Sequence, residues 1–450
     1  MRVLIDTLPG ACGAREHVLA LMCQKSPEVS EVFVTRPNAG ITVLSKYRSV
    51  ENLNDTGKLV DFIRRVGIEL VLIGPEKPLV DGVTDDLREE GIKVFGPTRA
   101  AAQLEGSKYF AKSIMQPARV PTARFKTFND RELRRALEYV GGIQNWQNPI
   151  VVKADGLCGG KGVTIAHNLQ EAEKAIKDCL EAKVFGLGGS MILIEEFLPD
   201  YPGLARSEVS FFALVDQHGN FVLLPTSADY KPVFNGDKGP NTGGMGAFAP
   251  VPWVSKEMTQ QVRDLIFAPV IQKMKEEGMP FSGLLYAGLK WTPKGPQVVE
   301  FNVRLGDPEI LPIFMTLKTD LIPVMHTIAS GGSIAGFSPN YKTGFGVTLV
   351  MTSQGYPGDY EKGLPITIDG LPLTDDFCLV HAGTKMVGDV LQTDSGRVLD
   401  PTVLAPSLEQ GGEWLQRIAG HIRWGNGVSN GPHWRTDIGA NVPLVLPEFS

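Results

Sequence analysis

The sequence is poor in cysteine, has no long apolar run and carries no concentration of positive charge. Its few cysteines form no CxxC pair, which argues against a zinc site or a disulfide framework and favours reduced thiols. They are Cys12, Cys23, Cys158, Cys179 and Cys378. No stretch approaches the roughly 20 apolar residues that a membrane span requires, and the start MRVLIDTLPG is too short in apolar length for a signal peptide. A net charge of −6 without a basic run argues against a nucleic-acid partner. We therefore expect a cytoplasmic protein with neither a membrane nor a nucleic-acid partner.

Two common nucleotide-binding signatures are also missing. The first βα turn, Leu8–His17, contains glycine but lacks the GxGxxG fingerprint of nicotinamide-binding folds. The glycine-rich stretch Asp155–Val163 (DGLCGGKGV) is not a Walker A loop, because Gly162 rather than Ser or Thr follows Lys161. A nucleotide site in this chain must therefore be built differently.

The composition is that of an ordinary globular protein, with 43% hydrophobic and 21% charged residues among 450. Strand and helix signals alternate over about the first 100 residues, which predicts a parallel sheet with right-handed crossovers. Predicted strands end just before Gly74-Pro75-Glu76 and Gly96-Pro97-Thr98, at the edge where open α/β sheets bind ligands. Arg15, in the first turn, either assists an anion at the helix N-terminus or is an ordinary surface residue.

Lys153 lies inside the predicted strand 149–154, directly before the glycine-rich stretch. A lysine in a strand interior is costly unless an anion pairs with it. A glycine-rich flap can fold over phosphates and bind them through backbone N–H groups. The alternative is that Lys153 and Lys161 are two ordinary hairpin lysines, and the glycine density favours the flap.

The rest of the chain continues as strands and helices. The pattern predicts one helix over Gln103–Met115 and another over Ile310–Ile328. It predicts a strand over Glu208–Val215 and a long glycine-rich loop without regular structure over Asp229–Ala247. Such long loops inside compact domains usually have a function. Beyond the stretch Ser330–Ser333, a small α+β unit is expected to close over the site.

The most informative stretch is Gln297–Glu309 (QVVEFNVRLGDPE). Strand alternation puts its apolar residues on one face and its polar residues on the other. The apolar set is Val299, Phe301, Val303 and Leu305, and the polar set is Glu300, Asn302 and Arg304. A carboxylate, an amide oxygen and a guanidinium in a row suit a hard cation with bound phosphates. The competing interpretation is a solvated strand face with an ordinary charge pair.

A series of motifs runs through nearly the whole chain: GPEKPLVDG, FGPT, QLEGSKYFAK, VVKADGLCGGKGV, IEEF, GDKGPNTGGMGA, LYAGL, EFNVRLGDPE, GYPGDY, HAGT and GRVL. Together they resemble the phosphoribosylamine–glycine ligase (glycinamide ribonucleotide synthetase) family of the ATP-grasp superfamily. The resemblance implies a multidomain α/β and α+β fold. Its parts are an N-terminal pre-ATP-grasp domain with a parallel sheet (1–118), an ATP-grasp lid and hinge (119–200), an ATP-grasp central domain (201–335) and a small C-terminal α+β domain (336–450). It also implies the ATP-dependent joining of glycine to phosphoribosylamine through an acyl phosphate, a step of purine biosynthesis, by a monomer or a homodimer.

The resemblance further implies the residues of the site. Those expected to bind ATP are Lys108, Lys153, Gly159, Gly160, Lys161, Gly162, Glu195, Glu196, Phe197 and Glu208. Those expected to bind the amino acid and the phosphorylated amine are Gly74, Pro75, Glu76, Asp229, Asp237, Asn241, Thr242, Gly243, Gly244, Arg304 and Asp307. The expected ligands of Mg²⁺ or Mn²⁺ are Glu300 and Asn302, and the expected catalytic residues are Lys153, Asp229 and Arg304.

The sequence departs from the family pattern mainly on the side of the amine and the amino acid. The first turn reads LPGACGAREH instead of the shorter GNGGREH, and the family's DHKR reads DYKP at Asp229–Pro232. RFGDPExQ reads RLGDPEIL at Arg304–Leu311, and the loop LPDYPGLARSE is longer than usual. These changes leave open a divergent ligase with a different amine or amino acid. A regulatory protein that binds nucleotide without turnover is disfavoured, because Lys153, Glu300 and Arg304 are all present.

Overall fold

The computed structural model describes residues 1–8, 10, 12–50, 53, 55–143, 146–158, 162–184, 190–204, 206–426 and 430–446. None of the helices in these ranges is long and apolar enough to cross a membrane.

The first sheet is parallel, as predicted. Its strands are β1 (Arg2–Asp6), β2 (Glu31–Val34), β3 (Tyr47–Arg48), β4 (Leu70–Ile73) and β5 (Val94–Phe95). Its helices are α1 (Ala14–Lys25), α2 (Ala39–Thr42), α3 (Thr56–Val66), α4 (Glu76–Asp81) and α5 (Val83–Glu89). The spatial order β3-β2-β1-β4-β5 places the switch point between β1 and β4, where Asp6 pairs with Ile73. The turn after β1 and the Gly74–Glu76 turn after β4 therefore lie side by side, where such sheets bind ligands.

The single helix predicted over Gln103–Met115 is wrong, because the structure has two. They are α6 (Arg99–Gly106) and α7 (Lys108–Met115). Ser107 separates them with an extended backbone (φ −142°), and its hydroxyl accepts a hydrogen bond from the Phe110 N–H. Serine favours this N-cap position over a helix interior, so the break brings Lys108 to the start of a helix.

The second sheet is antiparallel and lies between the first sheet and the rest of the chain in sequence. Its strands are β6 (Phe125–Asn129), β7 (Ile150–Ala154), β8 (Val163–Ala166) and β9 (Met191–Glu196), in the order β6-β9-β7-β8. A 3₁₀ turn at Asp130–Glu132 precedes the helix α8 (Leu133–Gly141), and α9 (Leu169–Leu180) follows β8. The glycine-rich stretch connects β7 to β8.

The third sheet is also antiparallel, in the order β11-β10-β16-β17. Its strands are β10 (Glu208–Val215), β11 (Phe221–Leu223), β16 (Gly283–Thr292) and β17 (Gly295–Asn302). The prediction of a structureless loop over Asp229–Ala247 is wrong. That segment contains short strands: β12 (Ala228–Asp229), β13 (Pro232–Phe234), β14 (Lys238–Asn241) and β15 (Gly246–Ala249). Next come α10 (Lys256–Val262), a π-helical turn (Arg263–Phe267) and α11 (Ala268–Glu276).

The single helix predicted over Ile310–Ile328 is also wrong. The chain forms α12 (Ile310–Thr316) and α13 (Ile322–Ala329), with Leu317 extended between them. Leu317 pairs instead with Tyr341 in an isolated β-bridge. A tertiary contact therefore overrides the local helical pattern.

The C-terminal part is α+β, as predicted. Its strands are β18 (Phe345–Leu349), β19 (Met351–Ser353), β20 (Ile366–Ile368), β21 (Phe377–His381), β22 (Thr384–Val387), β23 (Val390–Thr393), β24 (Arg397–Ala405), β25 (Ile422–Trp424) and β26 (Pro432–His433), with the helix α14 (Leu408–Ala419). Its main sheet runs β12-β15-β18-β24-β19-β26, with β21 also on β24. Because β12 and β15 belong to it, this sheet holds the Asp229–Ala247 segment directly against the C-terminal part.

The apolar core divides in a way that matters for the site. One cluster contains buried residues of the first, third and C-terminal sheets, such as Val71, Phe211 and Val403. The second sheet and its helices have a separate cluster, with Val152 and Ile176 fully buried. The second sheet is therefore packed as a unit of its own against the larger body.

Candidate active site between two antiparallel sheets

The second and third sheets meet at the middle of β17. Thr122, just before β6, donates from its hydroxyl to the Val298 carbonyl at 2.7 Å. Lys153, on β7, donates from Nζ to the Val299 carbonyl at 3.2 Å. These contacts place the predicted ATP lysine directly above the strand that carries Glu300 and Asn302.

A β-bulge makes the Lys153 contact possible and corrects one detail of the strand prediction. Gly288 pairs with Glu300 and Leu289 with Val298, so Val299 has no partner across the ladder. Val298 is fully buried while Val299 is only half-buried, which reverses the predicted assignment at this position. Beyond the bulge, the buried Phe301 separates Glu300 from Asn302, as strand alternation predicts.

Two buried lysines share one buried carboxylate beneath the predicted phosphate site. Glu195, on β9, lies 2.8 Å from Lys153 Nζ through one oxygen and 3.0 Å from Lys112 Nζ through the other. All three side chains are at most 8% exposed. Lys112 also donates to the Thr122 hydroxyl at 2.7 Å. Burial lowers the pKa of Lys112, against the opposing effect of Glu195. The side chain of Glu195 is thus an internal counter-ion.

The glycine-rich stretch is tied to the start of α7. Asp155 accepts hydrogen bonds from the Ser107 hydroxyl at 3.0 Å and from the Tyr109 N–H at 3.0 Å. Lys108 donates to the Gly156 carbonyl at 3.0 Å. A Cβ at Gly162 would lie 2.6 Å from the Cβ of Cys158, so only glycine fits there. The predicted phosphate-binding residues Gly159, Gly160 and Lys161 lie outside the described residues.

The predicted hinge and ribose residues follow β9. The side chain of Glu196 points to the surface, where it pairs with Arg124 at 2.8 Å, and its backbone N–H donates to the Arg124 carbonyl at 3.0 Å. Lys290 lies 4.9 Å from the centre of the Phe197 ring. Glu208 begins β10 and pairs with Lys231 at 3.1 Å.

Glu300 and Asn302 lie two positions apart near the end of β17. The Glu300 side chain is exposed and has no ion pair or hydrogen bond within the described part of the chain. Among the described residues, the Asn302 oxygen accepts only from Arg304, at 3.1 Å. No cluster of three or more His, Cys, Asp or Glu in the described ranges has a metal-binding arrangement. Two protein oxygens together with nucleotide phosphates are the usual environment of Mg²⁺, so these residues fit the ion.

Arg304 is held by two acids from the first part of the chain. Its Nη2 lies 3.0 Å from Glu105, and its Nε lies 3.4 Å from Glu76. Despite burial, Glu105 and Glu76 raise the pKa of Arg304 above its ordinary value. Arg15 lies 3.9 Å from Glu76 and is 11% exposed, so it is not the surface residue that the sequence left possible. Gly74 must be glycine here, since a Cβ would lie 2.3 Å from Glu16.

Asp229 lies among charged groups on the far side of Glu208. The pKa of Asp229 is raised to about 7, mainly by burial; Lys231 opposes this rise, and Glu309 and Glu208 contribute to it. The neighbouring Lys231 has its pKa raised by Glu208 and Asp229. Arg206 donates to the Asp229 carbonyl at 3.2 Å.

Several of the residues predicted to bind substrate make contacts that hold the hairpin of β13 and β14 in place. Asp237 is paired with Arg206 at 2.6 Å and with Arg435 at 2.8 Å, so its carboxylate is already neutralised. The Thr242 hydroxyl donates to the Lys231 carbonyl at 2.7 Å. Asn241 is exposed at the end of β14. A role for these residues in substrate binding stays a prediction.

The two glycines after the hairpin face the C-terminal part. The Gly243 N–H donates to the Tyr356 hydroxyl at 3.1 Å, and its carbonyl accepts from Arg397 at 2.7 Å. The Gly244 N–H donates to the Thr242 hydroxyl at 2.9 Å, and a Cβ there would lie 2.4 Å from Pro308. Arg397 also pairs with Asp307 at 3.1 Å.

Several residues of the site were not predicted. Besides Lys112 and Arg397, they include Glu105, Lys231 and Glu309, which is 5% exposed and accepts from the Tyr286 hydroxyl at 2.6 Å. Most of them lie inside motifs that were recognised, such as QLEGSKYFAK and GDPE. If the charged residues of these motifs had been predicted to be buried, each would have required a partner, and that requirement would have identified them.

Comparison with known proteins places the chain. The family model described as phosphoribosylglycinamide synthetase matches in three parts: the N domain over residues 8–105, the ATP-grasp (A) domain over 106–310 and the C domain over 346–441. The chain belongs to the phosphoribosylglycinamide synthetase family. It is 40% identical to the phosphoribosylamine–glycine ligase of Vibrio cholerae over 95% of this chain and 96% of that protein. For the ligase of Pseudomonas aeruginosa the identity is 41%, with the same coverage.

Solved structures agree with this phosphoribosylglycinamide synthetase assignment. The crystal structure of phosphoribosylamine–glycine ligase from Thermotoga maritima is similar with a TM-score of 0.80 and 29% identity, and covers 97% of this chain and 100% of that one. A biotin carboxylase from Campylobacter jejuni is similar with a TM-score of 0.72 at 14% identity, over 96% of this chain and 92% of that one, which shows the shared ATP-grasp fold alone.

The pKa of Asp229 leads to a testable pH dependence of stability. Between about pH 4 and 7 the native state keeps a proton that the unfolded state has released, so the free energy of unfolding falls as pH rises. Replacing Asp229 with Asn is expected to remove this slope, which amounts to about 2–4 kcal/mol over that range. Urea unfolding at half-unit pH steps measures it. The exposed Asp61→Asn variant is the control and should keep the wild-type slope; an unchanged slope in Asp229→Asn would contradict the prediction.

Proposed function

We propose that this protein is a phosphoribosylamine–glycine ligase, which joins glycine to 5-phosphoribosylamine at the expense of ATP. The single observation that carries the proposal is the match to all three family domains. In this chain, the residues proposed to bind the cation and the phosphates lie together. Lys153 Nζ donates to the Val299 carbonyl, next to Glu300 on β17, and Arg304 donates to Asn302 on the same strand. The function is that of a small-molecule enzyme of purine biosynthesis.

The chemistry proceeds in two steps. The glycine carboxylate attacks the γ-phosphorus of ATP, and ADP leaves to give an acyl phosphate. The amine nitrogen of phosphoribosylamine then attacks the acyl carbon, inorganic phosphate leaves and the nitrogen loses a proton. No covalent bond to the protein forms, so catalysis depends on positioning and on neutralising the phosphoryl charge.

The residues divide naturally between these tasks. Lys153 and Lys108 face the phosphates of ATP, and the turn that contains Gly162 covers them. Glu195, Glu196 and Phe197 supply the hinge for the base, and Glu208 the acid for the ribose. These assignments are supported by the order of the residues along β7, β9 and β10, which lie around one gap.

Glu300 and Asn302 would hold Mg²⁺ or Mn²⁺ against the nucleotide phosphates. When bound, the cation neutralises phosphoryl charge and aligns the γ-phosphate for in-line attack. Arg304 binds the oxygens of the phosphoryl group that is transferred, a role that suits its planar set of donors. Glu76 and Glu105 hold this guanidinium in place.

Asp229 is proposed to bind the ammonium of glycine, with Gly243, Gly244 and Asp307 forming the neighbouring wall. The amine then approaches from the first sheet, past Gly74, Pro75 and Glu76. The second sheet, with its separate core, is proposed to move as the lid over ATP. Exposed Val163 and Ile165 on β8 are consistent with a surface that another group covers on closure.

The expected result is ADP release that requires glycine and phosphoribosylamine together. The amine is generated in situ from ribose 5-phosphate and ammonia, and ADP is measured with a coupled assay. Turnover with this pair and none with either alone supports the proposal, and Lys153→Met is the inactive control. The departures at Tyr230 and Leu305 favour one alternative, a ligase with another amine or amino acid. Turnover with a different pair from a panel, and none with this one, would establish that alternative.

A further inference from the structure

Three motifs of the C-terminal part have no role in the nucleotide site, yet each contributes a contact on its far side. From GYPGDY, the Tyr356 hydroxyl accepts from the Gly243 N–H at 3.1 Å. From HAGT, the His381 N–H donates to His17 Nδ1 at 2.8 Å, next to the first turn. From GRVL, Arg397 reaches both Gly243 and Asp307. The C-terminal sheet thus forms a wall opposite ATP.

Arg397 is the charged group of this wall that could bind a ligand. Its Nη1 makes all of its contacts: 2.7 Å to the Gly243 carbonyl, 3.0 Å to the Asp307 carbonyl and 3.1 Å to the Asp307 carboxylate. The structure gives Nε and Nη2 no acceptor among the described residues, and the side chain is 22% exposed. A guanidinium has five N–H donors, so one edge of it is left for a ligand.

The surroundings hold this guanidinium in one position. A Cβ at Gly243 would lie 3.1 Å from the Arg397 Cζ, a tight contact that glycine avoids. A Cβ at Gly396 would lie 2.3 Å from the Tyr356 ring, which packs over the residue next to Arg397. The Tyr356 hydroxyl accepts from Gly243 and so has its own proton free to donate. Arg397 and Tyr356 together offer donors to one anion.

We propose that Arg397 binds the phosphate of the amine substrate through its Nε–Nη2 edge, assisted by the Tyr356 hydroxyl. The proposal deepens the proposed function and rests on it. Arginine matches phosphate with two parallel hydrogen bonds. Phosphoribosylamine carries its phosphate at the opposite end of the ribose from its reacting nitrogen.

The position of Arg397 favours this phosphate over the glycine carboxylate. The carboxylate must touch the γ-phosphate of ATP, beside Lys153 on β7 and Glu300 on β17. Arg397 instead approaches from β24, behind Asp307, whose second oxygen lies towards Gly13 of the first turn. That is the direction from which the amine enters.

Two acidic residues lie near Arg397 without occupying its Nε–Nη2 edge. Asp307 is paired with Arg397 through one oxygen. Asp400, on the same strand, is 1% exposed, and neither carboxylate oxygen has a hydrogen-bond partner in the part of the chain that the structure describes. Burial, and to a smaller degree Asp307, raises the pKa of Asp400 well above its ordinary value, while Arg397 lowers it.

The test is Arg397→Lys, which keeps a cation for Gly243 and Asp307 but lacks the second nitrogen. We expect the KM for phosphoribosylamine to rise roughly 10-fold or more, with the KM for ATP and glycine changed by less than about 2-fold. Tyr356→Phe should raise the same KM by a smaller factor. Arg417→Lys, an exposed arginine of α14 in the same part of the chain, is the matched control.

A binding measurement separates this proposal from the proposed function. Titration calorimetry with ribose 5-phosphate should show binding to the wild type and at least about 10-fold weaker binding to Arg397→Lys, while ribose binds neither. That result supports the phosphate site even if no turnover is found. Equal binding of ribose 5-phosphate to both proteins would overturn it, as would a rise in the KM for glycine alone. A lowered melting temperature with unchanged KM values would show that Arg397 only joins the C-terminal sheet to the central part.

Discussion

Replacing Glu195 with Gln is expected to destabilise the protein by about 3–5 kcal/mol and to lower kcat/KM for ATP by at least about 10-fold. In the wild type, the Glu195 carboxylate lies 3.0 Å from Lys112 Nζ and 2.8 Å from Lys153 Nζ. The variant leaves both ammonium groups buried without this shared counter-ion. Breaking a buried ion pair from one side costs far more than the pair contributes, because an uncompensated charge remains. Lys153 also loses the partner that directs its Nζ towards Val299 and the proposed phosphate site.

The matched control for this prediction is the next residue. Glu196→Gln removes a carboxylate that pairs with Arg124, whose side chain is 88% exposed, and should change the free energy of unfolding by less than about 1 kcal/mol. Urea unfolding at pH 7 and at pH 9 measures both variants. The loss of unfolding free energy caused by Glu195→Gln should be smaller at pH 9 than at pH 7. The reason is that a depressed lysine pKa in the native state makes stability rise with pH. Equal stability of the two variants would contradict the internal counter-ion.

Replacing Glu300 with Gln is expected to weaken the use of Mg·ATP, with an apparent Mg²⁺ affinity lower by at least about 10-fold. The Glu300 carboxylate is exposed and unpaired in the described part of the chain. Replacing it with a neutral amide therefore breaks no contact within the protein. Stability should therefore stay near the wild-type value while turnover at low Mg²⁺ collapses. This is the signature of a ligand rather than of a structural acid.

The measurement is kcat over a Mg²⁺ series at fixed total ATP. Partial recovery at high Mg²⁺ is expected for Glu300→Gln, since the phosphates still supply ligands. Glu276→Gln, an exposed acid on α11, serves as the control. Wild-type turnover of Glu300→Gln at low Mg²⁺ would refute the ligand role.

Most of the fold was predictable, and the errors have identifiable causes. The strands β1, β2, β4 and β5 were expected from short apolar runs between helices, and the parallel sheet followed. The helix Gln103–Met115 failed at Ser107, whose hydroxyl caps α7 and binds Asp155, a residue far along the chain. The helix after Gly306–Glu309 failed at Leu317, which pairs with Tyr341. Local periodicity does not contain such partners.

The site divides in the same way. The sequence alone determined the family and the ATP-grasp fold and predicted the groups for nucleotide and cation, because these lie in short contiguous motifs whose chemistry is local. Only the tertiary structure decided that Glu195 is the counter-ion of two lysines, that a bulge turns the Val299 carbonyl towards Lys153, and that Arg397 meets Gly243. Each of these joins segments from different sheets, and whether a charge is buried depends on which distant segment covers it.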